Sequence, residues 1–192
     1  MSETSFNPAQ HHPGRTTTAE RIKEMIRVDH AGEYGAVRIY EGQLAVFRNL
    51  PHKKKITAAL KHMAEEEEEH LARFSTLAVE RNVRPTALNP FWHIGGFAMG
   101  AVTALIGEKA AHACTVAVET VIDEHYQSQI SELTELGTEE DLKDTIIQFR
   151  EEEIAHKQQA LDSGAEEAVG YPLLSGAIQA ICRIAIRTCE KV

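Results

Sequence analysis

The sequence has few cysteines and no excess of positive charge. Its three cysteines, Cys114, Cys182 and Cys189, form no Cys-x-x-Cys pair, which excludes a disulfide framework and fits a reducing compartment. The net charge of −9 argues against nucleic acid as a partner, because phosphate binding needs a basic face. The 192 residues suffice for one domain with a sizeable core.

Long uncharged apolar runs are also lacking, and a membrane-spanning helix needs about 20 such residues. Two apolar segments come nearest. Residues 91–107 contain four glycines and a histidine, and residues 168–189 carry Arg183 and Arg187 one turn apart. Arginines on one side of an apolar helix suit a segment lying in the bilayer surface, but a terminal helix packed on its own domain fits equally well.

The first 18 residues are polar, contain two prolines and carry a single arginine. They lack the apolar core of a secretory signal and the arginines of a transit peptide. We predict a disordered tail over residues 1–18, in which His11 and His12 are solvated and bind no metal. One domain over residues 19–192 follows.

Helical spacing dominates the remaining sequence, and alternating strand patterns are absent. The segment "GGFAMG" at 95–100 has no strand before it, so close helix packing is favoured over a nucleotide-binding turn. We predict an all-α four-helix bundle with additional apolar and amphipathic helices. Apolar positions three and four apart predict its long helices at about 19–48, 53–81, 108–136 and 139–163.

Five consecutive glutamates and a histidine occupy residues 65–70. When the segment is projected as a helix, Glu67 and His70 lie inside its apolar stripe. The other four glutamates fall outside the stripe and are predicted to form a solvated face: Glu65, Glu66, Glu68 and Glu69. The same projection places further acidic residues and one histidine on the apolar stripes of the other helices: Asp29, Glu33, Glu119, Glu153 and His156.

The spacing of these residues indicates a duplicated helical hairpin. Glu33 precedes Glu67 by 34 residues, as Glu119 precedes Glu153, and only His70 and His156 among ten histidines follow a glutamate by three positions. The halves are offset by 86 residues, which also aligns Ala31 with Ala117, Tyr40 with Tyr126 and Gln43 with Gln129.

Four carboxylates and two imidazoles in an apolar core need compensation, which neutral side chains, salt bridges or cations could provide. Two divalent cations would cancel the four carboxylate charges, and carboxylate with imidazole suits iron or manganese. One glutamate from each of two helices plus Glu-x-x-His from each of two others is the di-iron pattern of ferritin-like bundles. Asp29, Asp123 and His125 are predicted to support ligands or structure, and Cys114 to pack in the core.

The segments "RVDHAGEYGAVRIYEGQ" (27–43), "ACTVAVE" (113–119) and "AICRIAI" (180–186), with the two Glu-x-x-His pairs, closely resemble the demethoxyubiquinone hydroxylase family of ubiquinone biosynthesis. The resemblance covers about residues 20–192. It implies a ferritin-like monooxygenase that hydroxylates the ring of demethoxyubiquinol with O2, with NADH or reduced quinone as the reductant. It also implies two iron ions bound by Glu33, Glu67, His70, Glu119, Glu153 and His156.

The resemblance further implies peripheral attachment to the membrane that holds the polyprenylated quinol, and a lipid-binding partner protein for some members. The tail without a transit sequence favours the cytoplasmic face of a bacterial inner membrane over a mitochondrial inner membrane. We expect the 91–107 segment and the terminal helix to face the membrane and to enclose an apolar channel. The sequence leaves open whether the chain forms a homo-oligomer.

Two rival functions remain at this point. An iron-storage or peroxide-detoxifying protein of the same fold would have no use for the two apolar segments. A membrane-associated helical adaptor without metal would need the six buried groups to be neutral or salt-bridged.

Overall fold

A computed structural model describes residues 17–191, and within this range the chain is a helical bundle without strands. The predicted tail, with His11 and His12, lies outside the described residues except for Thr17 and Thr18. Single 3-10 turns occur at Pro51–Lys53 and Ala165–Glu167. The helices are α1 (Thr18–Phe47), α2 (Lys54–Glu80), α3 (Asn89–Ile106), α4 (Glu108–Leu136), α5 (Glu140–Asp162) and α6 (Tyr171–Cys189).

The ends of the four long helices agree with the sequence prediction to within one residue, because local signals set them. The Thr17 side chain caps α1 and Glu20 completes the capping box. Gly137, at φ +63°, ends α4 in the left-handed conformation that favours glycine. Gly107, at φ +146°, alone separates α3 from α4.

Two apolar clusters fill opposite ends of the four-helix bundle formed by α1, α2, α4 and α5. One cluster joins the start of α1 to the end of α2 and includes Ile22, Met25, Phe74, Leu133, Leu142 and Ile146. The other joins the end of α1 to the start of α2 and includes Tyr40, Phe47, Ile56, Leu60 and Met63. Full burial of each large side chain contributes about 1.5–3 kcal/mol, so the two clusters hold the bundle together. The polar stripe positions of the four helices lie between them.

The glycine-rich segment forms α3, which packs closely against α1. A Cβ atom on Gly100 would lie 1.9 Å from the backbone oxygen of Ile39, and one on Gly42 would lie 2.2 Å from that of Phe97. Gly96, the other glycine of the predicted packing motif, also contacts α1, since its Cβ would lie 2.9 Å from Cβ of Arg38. This confirms the packing role predicted for "GGFAMG".

The terminal helix α6 packs on α4, where Ile178 and Cys182 join a cluster with the fully buried Cys114. Cys114 is therefore the core packing residue that the sequence predicts. The outer faces of α3 and α6 expose large apolar side chains. Among residues 17–191, no helix is both long and apolar enough to cross a membrane.

Replacement of Gly100 by alanine should lower the free energy of unfolding by about 1–3 kcal/mol, because the new methyl group overlaps the backbone of α1. Gly95→Ala is a matched control on the same helix, since its Cβ would meet nothing within 4 Å. That control should leave stability unchanged or raise it by up to about 1 kcal/mol through helix propensity. Urea denaturation measures both, and equal midpoints for the two variants would contradict the packing account.

Candidate metal centre

The six side chains selected from the sequence converge between the two apolar clusters. Each is at most 3% exposed. They come from the four bundle helices and comprise Glu33 on α1, Glu67 and His70 on α2, Glu119 on α4, and Glu153 and His156 on α5.

These six residues form two groups, each with four ligand atoms within 4.8 Å of one another. Glu67 and Glu153 belong to both groups. The first group adds Glu33 and His70, and the second adds Glu119 and His156. The arrangement suits two metal positions that share two carboxylates, with one further glutamate and one histidine at each position.

Both imidazoles direct Nδ1 to the shared carboxylates. Nδ1 of His70 lies 3.1 Å from Oε1 of Glu153 and 3.7 Å from Oε2 of Glu33. Nδ1 of His156 lies 3.3 Å from Oε2 of Glu153 and 3.3 Å from Oε1 of Glu67. Glu153 thus stands between the two rings.

Two buried tyrosines connect the halves of the site. Tyr40 on α1 donates a hydrogen bond to Oε1 of Glu119 over 3.2 Å, and Tyr126 on α4 donates one to Oε1 of Glu33. Burial raises the pKa of both phenols well above the usual value, so each keeps its proton and remains a donor. The 86-residue repeat aligns these tyrosines in the sequence. In the structure, each tyrosine donates its hydrogen bond to the glutamate of the other half.

Burial and mutual repulsion determine the charge state of the site without a cation. Burial, followed by the charge of Glu153, raises the pKa of Glu67 and Glu119 well above the ordinary value. Burial also disfavours the charged form of Glu153, but hydrogen bonds with His156 and His70 outweigh it and lower the pKa to about 2. Burial opposes protonation of the imidazoles too, yet the surrounding carboxylates raise the pKa of His70 to about 12 and that of His156 to about 9. Protons therefore occupy the site when no metal does.

Several oxygens of the site accept no hydrogen bond within the protein, although Oε1 of Glu67 lies 3.3 Å from Nδ1 of His156. Neither carboxylate oxygen of Glu67 accepts a hydrogen bond, and Oε2 of Glu119 also has none. Buried polar atoms almost always have a partner, so these orphaned oxygens indicate one that is not protein. The donor set of carboxylates and imidazoles fits iron or manganese.

The residues predicted to support the site belong to neither metal group. Oδ1 of Asp29 accepts one hydrogen bond from Gln129 at 2.8 Å and lies 3.0 Å from Nε2 of His125. Asp123 accepts a 2.7 Å hydrogen bond from Arg150 on α5. Asp29 and the partly buried His125 thus form a polar cluster near Tyr126, and Asp123 ties α4 to α5.

The prediction that Glu66 is only part of a solvated face is wrong. Glu66 is half-buried, and its Oε2 lies 2.9 Å from Nε2 of His156. Glu152, which the sequence analysis missed, holds the equivalent place at 2.5 Å from Nε2 of His70. The sequence does contain a signal for these paired contacts, because the offset of 86 residues aligns Glu66 with Glu152. Glu65, Glu68 and Glu69 are exposed, as predicted.

An apolar groove of about 790 Å³ runs along the outside of the bundle between α3 and α6. Its floor is formed by α1 and α4 next to the candidate ligands Glu33 and Glu119. The groove lies where the sequence analysis expected a channel. Its lining includes Gly32, Gly35, Ala36, Trp92, Val118 and Ile178.

Comparison with known proteins identifies the family. A sequence model described as "Ubiquinone biosynthesis protein COQ7" matches residues 20–189. The chain belongs to the COQ7 family. A relative from Rhodospirillum rubrum, named 3-demethoxyubiquinol 3-hydroxylase, is 49% identical over 181 residues, which cover 94% of this chain and 82% of the relative. The predicted family is thereby confirmed.

Eukaryotic relatives are nearly as similar. The human NADPH-dependent 3-demethoxyubiquinone 3-hydroxylase, named as mitochondrial, is 46% identical over 173 residues, covering 89% of this chain and 78% of the relative. The Saccharomyces cerevisiae 5-demethoxyubiquinone hydroxylase, also named as mitochondrial, is 42% identical over 185 residues, covering 89% and 78%.

Metal binding should release protons. The pKa values of about 12 for His70 and about 9 for His156 mean that both rings are protonated near neutral pH, and Nδ1 must lose its proton to bind a cation. Titration with Co²⁺ in weak buffer should therefore release at least two protons per chain, and the affinity should rise with pH. Release of no protons, together with an affinity independent of pH, would contradict these charge states.

Proposed function

We propose that this chain hydroxylates the ring of demethoxyubiquinol with O2 at a pair of iron ions, as a 3-demethoxyubiquinol 3-hydroxylase. One oxygen atom enters the ring C–H bond, and the other becomes water with two electrons and two protons. The observation that supports this most directly is the pair of metal groups sharing Glu67 and Glu153 in a chain of the COQ7 family.

In this proposal one ion is held by Glu33 and His70, the other by Glu119 and His156, and both by Glu67 and Glu153. Two ferrous ions cancel the charge of the four carboxylates. When bound, the ions would supply the redox chemistry that O2 activation needs. Reduced nicotinamide or reduced quinone is the proposed donor, and several eukaryotic relatives are named NADPH-dependent.

The protein's own residues hold this site in place. Tyr40 and Tyr126 fix one oxygen each of Glu119 and Glu33, which leaves the second oxygen free to bind a cation. The apolar clusters above and below the site exclude water, which strengthens the attraction between carboxylates and cations.

The apolar groove is the proposed route of the quinol ring. Its floor carries Gly32 and Gly35 on α1, and Gly32 directly precedes Glu33 in the sequence. The polyprenyl tail would lie along the apolar lining contributed by α3 and α6. Because α6 completes the groove, the functional unit is the ferritin-like domain over residues 19–192.

The outer faces of α3 and α6 form the proposed membrane-facing surface. Phe91, Ile94 and Leu105 on α3 are 75%, 70% and 74% exposed, and Leu173 and Ile184 on α6 are 80% and 64% exposed. Exposed apolar side chains in this number are typical of a membrane or protein interface. We propose peripheral attachment at the cytoplasmic face of a bacterial inner membrane, with a mitochondrial inner membrane as the alternative. A lipid-binding partner protein would use the same surface.

Substitution of Glu153 by alanine should abolish hydroxylation, because this residue belongs to both metal groups. Cells that depend on the variant should accumulate the demethoxy precursor and lose ubiquinone, as quinone profiling would show. Glu151→Ala, at an exposed position of the same helix, should leave the profile normal. Normal ubiquinone in the Glu153→Ala cells would refute the proposed site.

The rival of iron storage makes a different prediction for iron retention. When ferrous iron and oxygen are added without quinol, a catalytic site should retain about two ions per chain, one at each position. Storage would retain far more iron per chain as a mineral. Elemental analysis after gel filtration separates these outcomes, and a chain that retains no metal would favour the adaptor instead.

The combined substitutions Leu173→Glu and Ile184→Glu should release the protein from phospholipid vesicles, because they place charge on the proposed membrane-facing surface. Val79→Glu, at a 79% exposed position on α2, is the matched control and should leave binding unchanged. Vesicle sedimentation measures this. If the double variant sediments like the original chain, α6 does not face the membrane.

A further inference from the structure

Each candidate ligand histidine contacts a second glutamate on its outer edge. Nε2 of His70 lies 2.5 Å from Oε2 of Glu152, and Nε2 of His156 lies 2.9 Å from Oε2 of Glu66. Both contacts cross between α2 and α5. Since Nδ1 of each ring faces the shared carboxylate Glu153, the two nitrogens of each imidazole have separate partners.

The outer glutamates differ from their neighbours in the acidic runs. Glu66 and Glu152 each expose 34% of the side chain, whereas the adjacent Glu65 exposes 61%. Glu151, which precedes Glu152, is likewise exposed. The contacts to histidine therefore single out one glutamate of each run.

The pattern extends outward by one more residue in each half. Nδ1 of His62 lies 3.3 Å from Oε2 of Glu66, and Nε2 of Gln148 donates a hydrogen bond to Oε1 of Glu152 over 3.0 Å. His62 and Gln148 are 86 residues apart, as are Glu66 and Glu152. Both halves of the repeat thus build the same chain of contacts from the surface to the opposite histidine.

A carboxylate beside Nε2 has a defined effect on an imidazole that binds metal. It keeps the hydrogen on Nε2, directs the lone pair of Nδ1 to the cation, fixes the ring plane and strengthens the ring as a donor. Loss of such a partner typically weakens metal binding by about 10–100-fold.

We propose that Glu66 and Glu152 are positioning residues, each of which controls one of the two metal positions through the histidine of the opposite helix. Glu152 acts through His70 on the position shared with Glu33. Glu66 acts through His156 on the position shared with Glu119. This inference rests on the proposed dinuclear centre.

Titration of the purified full-length chain with Co²⁺, followed by its visible absorption, tests this inference. The original chain should bind two ions. Glu66→Ala and Glu152→Ala should each lower the affinity for one Co²⁺ ion by about 10–100-fold and change the absorption of that ion, while the other ion binds as before. Glu65→Ala and Glu151→Ala are matched controls, exposed and also 86 residues apart, and should bind both ions normally.

Glu66→Gln and Glu152→Gln keep an acceptor for Nε2–H but lose the charge. Each should therefore lower the affinity for one Co²⁺ ion by less than the alanine variant does. These variants carry the test if the alanine variants do not fold. Unchanged Co²⁺ affinities and spectra would overturn the inference. A lower melting temperature of the metal-free variants, with unchanged Co²⁺ binding, would show that the two glutamates have only a structural role. Fewer than two ions in the original chain would instead refute the dinuclear centre itself.

Discussion

The compensation of buried charge is the constraint on which the rest of this structure depends. Four carboxylates and two imidazoles lie between two apolar clusters, where an unpaired charge costs several kcal/mol or more. Without metal, burial and the charge of Glu153 raise the pKa of Glu67 and Glu119, and the surrounding carboxylates raise the pKa of His70; each shift favours the protonated form and so reduces that cost. Two divalent cations would replace those protons and also give partners to the orphaned oxygens of Glu67. The site would therefore favour cations, because without them some of its buried carboxylate oxygens accept no hydrogen bond.

The two halves of the repeat complete each other. Tyr40 of the first half donates a hydrogen bond to Glu119 of the second half. Tyr126 of the second half donates one to Glu33 of the first half. The outer glutamates cross between α2 and α5 in the same manner. Neither helical hairpin alone contains both partners of these contacts, so the centre exists only when the halves are paired. The symmetry is broken at Asp29, because the residue aligned with it in the second half is the neutral Thr115.

Close packing of glycines gives the molecule a second structural feature, the apolar groove. Gly42 and Gly100 bring α3 against α1, and α6 packs along α4, so the groove forms between the two added helices. The candidate ligands stand behind its floor, while the acidic face of α2 and α5 lies on the other side of the centre.

The sequence alone determined the helices, the repeat and the six inward groups, because helical periodicity and capping are local properties that a single chain records. It also indicated that Glu67 and His70 turn inward from an acidic run, since both lie on an apolar stripe. Only the tertiary structure decided which helices exchange hydrogen bonds. Sequence periodicity shows on which face of a helix a residue lies, but it does not show which residue of another helix lies opposite. Glu66 was misjudged for this reason, because it lies outside the apolar stripe of α2 and gains a partner only when α5 brings His156 within 2.9 Å.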